Sequence, residues 1–265
     1  SRSAKPSDIL SKINSLIDNG AKEIILSGIN IGDYGILNGK RKNNFFSLLK
    51  IIEDKIDDLR LRISSIEPNL LNDEIIELVA SSKKFVNHFH IPLQSGSNNI
   101  LKKMSRRYNI ELYEDRIKKI KKLMPDACIG ADVIVGFPGE SNHEFEKTLK
   151  FIKSLDISYL HVFPYSERNN TRAIEINDII PQSKRYERSK VLRELSEKKK
   201  RKFYNSNLNL SKEVLFENKI KDGYIFGYTD NYIRTKVKYK KDYIGKIFKT
   251  KLKSIDEDFN TIGKI

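Results

Sequence analysis

A short apolar run that ends in glycines and a carboxylate limits the possible folds of this chain more than any other feature. Residues 132–141 read Asp-Val-Ile-Val-Gly-Phe-Pro-Gly-Glu-Ser. Small and β-branched residues are typical of a buried strand, and Gly136 and Gly139 then let the backbone approach another group closely. The segment predicts a parallel strand that presents its carboxyl end to a ligand.

Two other segments repeat this arrangement. A strand within residues 88–97 leads into the polar loop Gln-Ser-Gly-Ser, and a strand from Tyr159 leads into Tyr-Ser-Glu-Arg at 165–168. In α/β folds, polar loops at the carboxyl ends of neighbouring strands form one common mouth that binds the ligand. The three segments therefore predict an enzyme active site at such a mouth.

Strands and helices alternate about five times before residue 165, which predicts a parallel sheet with crossover helices. The predicted strands are 23–28, 59–64, 88–93, 129–135 and 159–163. The predicted helices are 6–19, 45–56, 73–80, 98–104, 110–123 and 144–155. A complete barrel of this class has eight strand–helix units, so we expect an α/β fold with a partial TIM-like barrel.

The character of the chain changes after Gln182. Residues 182–205 form a basic helical stretch with ten Lys and Arg residues and three Glu residues. Short alternating strands then follow at 214–216, 224–228, 232–237 and 245–248, separated by turn residues. We therefore expect two domains: residues 1–205, ending in the basic linker helix, and a small OB-like β-barrel at 211–265.

The chain is strongly basic, with a formal charge of +15 and a pI near 9.6. This favours a polyanionic partner, above all nucleic acid. A lysine-rich codon bias would explain the total charge, but it would not explain local clustering. Lys and Arg alternate with Tyr and Phe from Tyr224 to Tyr243, as in sheets that stack bases and neutralise phosphates. The predicted RNA contacts are Arg234, Lys236, Lys238, Lys240 and Lys241. An ordinary small barrel with a solvated lysine face remains the alternative.

Several features exclude other classes of protein. No stretch approaches the roughly 18 apolar residues of a membrane span, and no signal peptide is visible. Cys128 is the one cysteine, which excludes an internal disulfide framework and suits a reducing cytosol. We therefore expect a cytoplasmic protein without a membrane partner.

Together, these segments resemble the radical S-adenosylmethionine methylthiotransferases. The motifs that carry the resemblance follow the family's order and lie at 26–35, 64–68, 90–96, 104–108, 132–140 and 163–168, with Thr171 and Ala173. Residues 211–265 resemble the family's TRAM domain, an OB-like barrel that binds tRNA. Segments 88–96 and 160–168 are most similar to the branch that methylthiolates threonylcarbamoyladenosine next to the tRNA anticodon.

The resemblance implies a reaction and its cofactors. In the family, a [4Fe–4S] cluster held by a three-cysteine loop cleaves S-adenosylmethionine at the carboxyl ends of the strands. The deoxyadenosyl radical removes a hydrogen from the adenine ring, and a methylthio group is installed. A second cluster lies in a separate N-terminal domain. The implied partners are the tRNA anticodon stem-loop and a reductant, and we expect a monomer.

The chain departs from the family at the cluster. It has no such cysteine loop, and Cys128 alone cannot hold a cluster that needs thiolate ligands. We therefore expect no catalytic residue and no metal ligand within it. Because it begins Ser-Arg-Ser, we interpret it as the C-terminal part of a longer enzyme, and we expect it to be inactive by itself.

The resemblance also assigns residues at strand ends to the cofactor. The expected contacts are Ser27, Gly28, Ser64, Glu67, Gln94, Ser95, Arg106, Val135 and Gly136. Arg106 is expected to bind the cofactor carboxylate, because a guanidinium group matches a carboxylate bidentately. The alternative is that Arg106 and Arg107 are two solvated arginines after a helix. His88, His90 and His161 are interpreted as core or supporting residues, not as metal ligands.

Two other functions remain open. A relative that modifies a ribosomal protein would use its β-domain to recognise protein, and the basic strand residues argue against it. A non-catalytic RNA-binding remnant of a decayed gene is the alternative from a different class.

Overall fold

The computed structural model describes residues 3–37, 40–41, 44–57, 59–169 and 171–265. The helices are α1 (Pro6–Asp18), α2 (Phe45–Lys55), α3 (Asp73–Ser81), α4 (Asn98–Lys103), α5 (Ile110–Leu123), α6 (Asn142–Ser154) and α7 (Gln182–Ser206). The first seven strands are β1 (Glu23–Leu26), β2 (Ile36–Leu37), β3 (Lys40–Arg41), β4 (Arg60–Ile63), β5 (His88–His90), β6 (Cys128–Val135) and β7 (Tyr159–Pro164). The last five are β8 (Ser211–Lys221), β9 (Tyr224–Thr229), β10 (Arg234–Lys238), β11 (Ile247–Ile255) and β12 (Thr261–Lys264).

The first part of the chain forms a parallel partial barrel in the order β1-β4-β5-β6-β7. β1 pairs with β4, and β5, β6 and β7 pair in sequence, all in parallel. A parallel bridge from Leu61 to Phe85 joins the two groups of strands. The predicted α/β class with a partial barrel is confirmed.

Alternation along the strands separates the helix-covered face from the inner face of the partial barrel. On β6, Ile129, Ala131 and Val133 are fully buried in the hydrophobic core against the helices. Gly130 and Asp132 point the other way, toward the inside of the barrel. The charged and polar residues of the strands therefore collect on the inner face.

Local sequence explains the start of most helices. The side chain at the N-cap accepts a hydrogen bond from the third helical residue in five of them, which satisfies a free N–H group. These caps are Asn44, Asn72, Ser97, Asn109 and Ser141. The predicted boundaries of the helices therefore agree with the structure to within two residues for most elements.

β5 ends earlier than predicted. The prediction extended it to residue 93, whereas the strand ends at His90. Pro92 has no N–H group to donate to the ladder. Single hydrogen bonds to β6 continue on either side of it, from the Ile91 N–H to the Gly130 carbonyl and from the Leu93 N–H to the Asp132 carbonyl. Gln94 then forms a bridge to Val133, with a φ of +64° that a non-glycine residue seldom adopts.

The end of the chain forms a closed barrel in the order β10-β12-β11-β8-β9. Val214, Phe216, Ile225 and Val237 fill its centre. The strand predicted at 245–248 covers only the start of β11, which continues to Ile255, and β12, which closes the barrel, was not predicted. Exposed lysines alternate with Thr250 and Leu252 along β11, which weakens its apolar signal, and β12 is short.

The long helix α7 joins the two parts. Its middle packs on β7, where the Ser196 hydroxyl accepts a hydrogen bond from the Leu160 N–H at 2.8 Å and donates one to the Leu160 carbonyl at 3.1 Å. Its end meets the small barrel, where the Tyr204 hydroxyl accepts from the Arg234 N–H at 3.1 Å. Within the described residues, none of the helices has the length and apolarity needed to cross a membrane.

Candidate active site

A cavity of about 520 Å³ lies between the inner face of the partial barrel and the small barrel. We call it the inner cavity. From the partial barrel, its lining includes Arg62, Ser64, Ser65, His88, His90, Tyr159 and His161. From α7 and the small barrel, it includes Lys200, Tyr204, Tyr228, Tyr232 and Arg234. Both parts of the chain therefore contribute to one site.

A histidine–carboxylate pair lies on the inner face. His90 Nε2 is 2.8 Å from Asp132 Oδ1, and His90 Nδ1 is 3.2 Å from the Ser65 hydroxyl. The His161 ring lies beside this pair, with its centroid 5.5 Å from that of His90. Burial, and then the charge of His90, lower the pKa of His161. The two contacts hold the His90 ring in one orientation, and His90 and His161 both line the inner cavity.

The same three residues could also hold a metal ion. One donor atom from each of His90, Asp132 and His161 lies within 4.8 Å of the others. The prediction treated the histidines as core or supporting residues. Of the three histidines in that prediction, His88 is buried, His90 is half-buried and His161 is exposed.

Deeper in the inner cavity, His88 lies between the two parts of the chain. Its Nε2 is 3.1 Å from the Tyr159 hydroxyl, and its ring centroid is 4.5 Å from that of Tyr232. Burial first, and then the Arg62 charge, hold the pKa of His88 well below its ordinary value of 6.5. Gly130 makes room for Tyr159, because a Cβ there would lie 2.3 Å from the tyrosine ring.

Arg62 lies on β4, at the floor of the inner cavity. Its residue exposure is 3%, and its Nε donates to Glu23 Oε1 at 2.8 Å. The face of the Tyr232 ring lies 4.5 Å from the guanidinium carbon, a cation–π contact. Within the part of the chain that the structure describes, neither Nη1 nor Nη2 has a hydrogen-bond partner.

The outer face of β9 and β10 continues from the inner cavity to the surface of the small barrel. We call it the aromatic-basic face; its cations are Arg234, Lys236 and Lys238, and its rings are Tyr224, Phe226 and Tyr228. Arg234 lies 5.1 Å from the centroid of the Phe226 ring. Lys238 lies 4.3 Å from the centroid of the Tyr224 ring. The antiparallel pairing of β9 with β10 therefore places each cation next to at least one ring.

The five predicted RNA-contact residues are not equivalent. Lys236 forms an ion pair with Asp256 at 2.5 Å, and this hydrogen bond raises the pKa of Lys236. Lys238, Lys240 and Lys241 are exposed. Arg234 alone of the five lines the inner cavity.

A network of charged residues lies at the carboxyl ends of the strands, where the cofactor was predicted. Arg106 Nη1 donates to Glu67 Oε1 at 3.2 Å, and Arg107 Nη2 donates to Glu67 Oε2 at 3.2 Å and to Asp33 Oδ2 at 3.3 Å. Arg106 Nε is buried and has no partner among the described residues. Ion pairs therefore hold both arginines in place. The alternative prediction of two solvated arginines is wrong for Arg106, whose side chain is only 29% exposed.

The other predicted cofactor contacts divide into two groups. Ser27 and Gly28 are exposed beyond β1, and Ser64 lines the inner cavity. Ser95 is fully buried and lies against α6, with its hydroxyl 3.3 Å from that of Thr148. The Val135 side chain is also fully buried. The side chain of Ser95 is therefore not available to a cofactor in this arrangement, whereas the contact predicted for Val135 is one of its backbone.

The loop after β6 is fastened to α7 by a pair of residues that the sequence did not reveal. The Gly136 N–H donates to Glu140 Oε2 at 2.6 Å, and Arg188 Nη1 donates to the same oxygen at 2.8 Å. Glu140 is fully buried and the Arg188 side chain is 6% exposed. We call the Glu140–Arg188 pair the latch. The glutamate of the Gly-Phe-Pro-Gly-Glu run was its signal in the sequence, since a buried carboxylate needs a partner.

The single cysteine has no ligand role. Cys128 is buried and free, and burial raises the pKa of its thiol to about 12. A [4Fe–4S] cluster is held by several thiolates. The residues of this chain therefore do not fit a cluster.

Comparison with known proteins gives a family and several relatives. The family model described as the Radical SAM superfamily matches residues 1–152. The chain is 40% identical over 264 residues to the threonylcarbamoyladenosine tRNA methylthiotransferase MtaB of Bacillus subtilis, covering 98% of this chain and 58% of that protein. It is 37% identical to the protein of the same name from Rickettsia prowazekii, covering 98% of this chain and 60% of that protein.

A relative with a different substrate name is about as similar. The chain is 37% identical over 246 residues to the tRNA-2-methylthio-N(6)-dimethylallyladenosine synthase of Endomicrobium trichonymphae, covering 92% of this chain and 57% of that protein. The chain thus spans less than two thirds of the length of these relatives.

Proposed function

The chain belongs to the Radical SAM superfamily, and we propose that it acts in the methylthiolation of threonylcarbamoyladenosine in tRNA. Within this proposal, residues 1–205 bind the cofactor and enclose the target base, and residues 211–265 bind the RNA. Relatives of the same substrate name at 40% and 37% identity support it. The modification of a ribosomal protein and a non-catalytic role have no comparable support.

The observation that carries the proposal is the continuity between the inner cavity and the aromatic-basic face. A base that leaves a stem-loop needs a pocket lined by rings, and the adjoining phosphates need cations. Tyr228 and Tyr232 stack at 4.8 Å with an angle of 16° at the entrance from the small barrel. From there, the cations of β10 lead along the surface. One RNA loop could therefore contact both parts of the chain.

S-Adenosylmethionine is the cofactor of the superfamily and would supply a deoxyadenosyl radical when a reduced iron–sulfur cluster gives it one electron, and this chain has too few cysteines to hold that cluster. The residues at the carboxyl ends fit its methionine end: Arg106 has a buried unpartnered Nε among the described residues, and Glu67 lies beside it. A guanidinium group suits the cofactor carboxylate, and Glu67 suits the ammonium group. Ser27 and Ser64 add hydroxyls at the neighbouring strand ends. Gln94 stays a predicted contact.

Two backbone groups at the start of the loop after β6 are already hydrogen-bonded within the protein. The Gly136 N–H is used by Glu140, and the Val135 carbonyl accepts from the Tyr165 N–H at 2.8 Å. We therefore assign Val135 and Gly136 to shaping the adenine pocket, not to hydrogen bonding with the adenine. The anticodon stem-loop, an external reductant, a monomeric state and a cytoplasmic location complete the proposal.

Analysis of cellular tRNA tests the reaction. Deleting the gene that encodes this chain should abolish the methylthio derivative of threonylcarbamoyladenosine and leave threonylcarbamoyladenosine itself in place. Mass spectrometry of nucleosides from total tRNA measures both. Unchanged levels of the methylthio nucleoside would contradict the proposal.

Binding of an anticodon stem-loop tests the aromatic-basic face. Lys238→Gln should weaken binding and lower the slope of log affinity against log salt by about one, because each phosphate contact releases about one counterion. The matched control is Lys118→Gln on α5, an exposed lysine that pairs with Glu114. Equal effects of the two substitutions would mean that the overall charge, and not this face, binds the RNA.

A further inference from the structure

The guanidinium group of Arg62 is only partly used by the protein. Burial removes it from bulk water, and Glu23 accepts a hydrogen bond from Nε alone. Nη1 and Nη2 are buried and have no partner within the described residues, and Arg62 is one of the residues that line the inner cavity. A buried charged group with unused donors is costly unless a ligand completes its hydrogen bonds.

The lining of the inner cavity has the charge of an anion site. The lining residues within the described chain include the cations Arg62, Lys200 and Arg234 and no Asp or Glu. Burial, and then the charge of Arg234, lower the pKa of Lys200, which indicates that positive charge is crowded there. An anion that enters would relieve this repulsion.

We propose that the inner cavity contains a subsite for an acidic substituent of the target nucleobase, and that the two Nη groups of Arg62 bind its carboxylate. This inference rests on the proposed function and adds the specificity of the site to it. Arg62 contacts the substrate, and the Tyr232 ring, whose centroid lies 4.5 Å from the guanidinium carbon, holds the guanidinium plane in place.

The nucleosides in the two relatives' names differ in the group that such a subsite would bind. A threonylcarbamoyl group on N6 of adenine ends in a free carboxylate, whereas a dimethylallyl group is a hydrocarbon. A guanidinium fork binds a carboxylate through two parallel hydrogen bonds. A hydrocarbon placed against Arg62 would leave both Nη groups without partners. The site therefore favours the acidic nucleoside over the apolar one.

Nucleoside binding to the 265-residue chain tests the subsite. Isothermal titration would compare N6-threonylcarbamoyladenosine with its carboxamide, which is neutral but similar in shape. We expect the acid to bind about tenfold to a hundredfold more tightly, the range for hydrogen bonds to a charged group. Adenosine 5′-monophosphate is the third ligand, because a backbone phosphate is the other anion that tRNA could offer.

Variants then assign the preference to Arg62. Arg62→Gln combined with Glu23→Gln removes the pair without leaving a buried carboxylate alone, and it should abolish the preference for the acid. Arg62→Lys keeps the charge but not the fork, and should retain a smaller preference. The matched control is Arg193→Gln, an exposed arginine on α7. Thermal unfolding of each variant shows whether it is folded.

Equal binding of the acid and the carboxamide by the unmodified chain, or no binding of either, would overturn the subsite. A preference for the acid that persists in the folded double variant would also overturn the role of Arg62. Tighter binding of the monophosphate than of the acid would mean that the cavity binds RNA phosphate instead. None of these results touches the enzyme proposal, which the analysis of cellular tRNA tests by itself.

Discussion

A buried arginine lies beside a glutamate both where α7 meets the loop after β6 and at the floor of the inner cavity, but the two arginines differ in how many of their nitrogens are hydrogen-bonded. Arg188 donates to the Glu140 carbonyl, to Glu140 Oε2 and to Asn142 Oδ1, at 2.8, 2.8 and 3.0 Å. Arg62 donates to Glu23 through Nε alone. A guanidinium group whose two Nη atoms both donate hydrogen bonds fastens elements of the fold. A guanidinium group beside a cavity whose two Nη atoms have no acceptor remains available to a ligand.

The largest effect is expected for the latch. Arg188→Met leaves the Glu140 carboxylate buried without its cation, so the free energy of unfolding should fall by about 3–5 kcal/mol. Urea unfolding followed by circular dichroism measures it. Lys184→Met on the same helix, whose side chain is half exposed, should cost about 0.5 kcal/mol or less. A loss of unfolding free energy for Arg188→Met as small as that of Lys184→Met would contradict the conclusion that Arg188 fastens the fold.

Gly136 tests the same loop through its backbone. Gly136 and Gly223 share a φ of +74°, but a Cβ at Gly136 would lie 2.3 Å from Arg185 Cγ, and a Cβ at Gly223 would have nothing within 4 Å. Gly136→Ala should therefore cost about 2–3 kcal/mol of unfolding free energy, and Gly223→Ala about 1 kcal/mol. Equal losses in the two variants would show that backbone strain alone decides, and that the loop is not tightly packed on α7.

The inner cavity should respond to pH through His88. Its pKa is held below 6.5 in the folded state, so the unfolded chain takes up a proton first as the pH falls. The stability contributed by neutral His88 is therefore complete above pH 6.5, and about 1 kcal/mol should be lost between pH 6.5 and 5.5. His88→Gln should remove this part of the pH dependence of unfolding, and His143→Gln, at an exposed position on α6, should not.

The smallest effect is expected at the carboxyl-end network. Glu67→Gln weakens its pairing with Arg106 and Arg107, but the side chain of Arg107 is 57% exposed and also contacts Asp33. Solvent screens such a pair, so the free energy of unfolding should change by about 0.5 kcal/mol or less. A loss comparable with that of Arg188→Met would mean that this network fastens the fold and is not available for a cofactor.

The sequence predicted the partial barrel well because its signals are local. Caps such as Asn72 and Asn109, and the apolar runs of β6 and β7, each lie within a few residues of the element they start or form. β12 was missed because it has only four residues, and one of its two partners, β10, lies far earlier in the sequence than the adjacent β11. Closure of a barrel is a tertiary property, and no local pattern encodes it.

The candidate site was predicted less completely, for a related reason. Resemblance placed Glu67 and Arg106 at one mouth, and the structure brings them together. It could not show that Ser95 turns toward Thr148, because the strand distortion near Pro92 changes which side chains face the mouth. Arg62 was passed over because arginines are ordinarily exposed, although its alternation with Leu61 and Ile63 indicated the inner face of a strand.

The length of α7 has a consequence for how this chain can change. The helix holds the latch near its start through Arg188, and it meets the small barrel near its end through Tyr204. One residue inserted between Ser196 and Tyr204 would turn everything after it by about 100° and advance it by about 1.5 Å. The aromatic-basic face would then no longer adjoin the inner cavity. A whole number of turns would restore the angle, but two turns would still move the small barrel by about 10 Å along the helix axis. The length of this segment should therefore be fixed, whereas the exposed turn at Gly223 can vary in single residues.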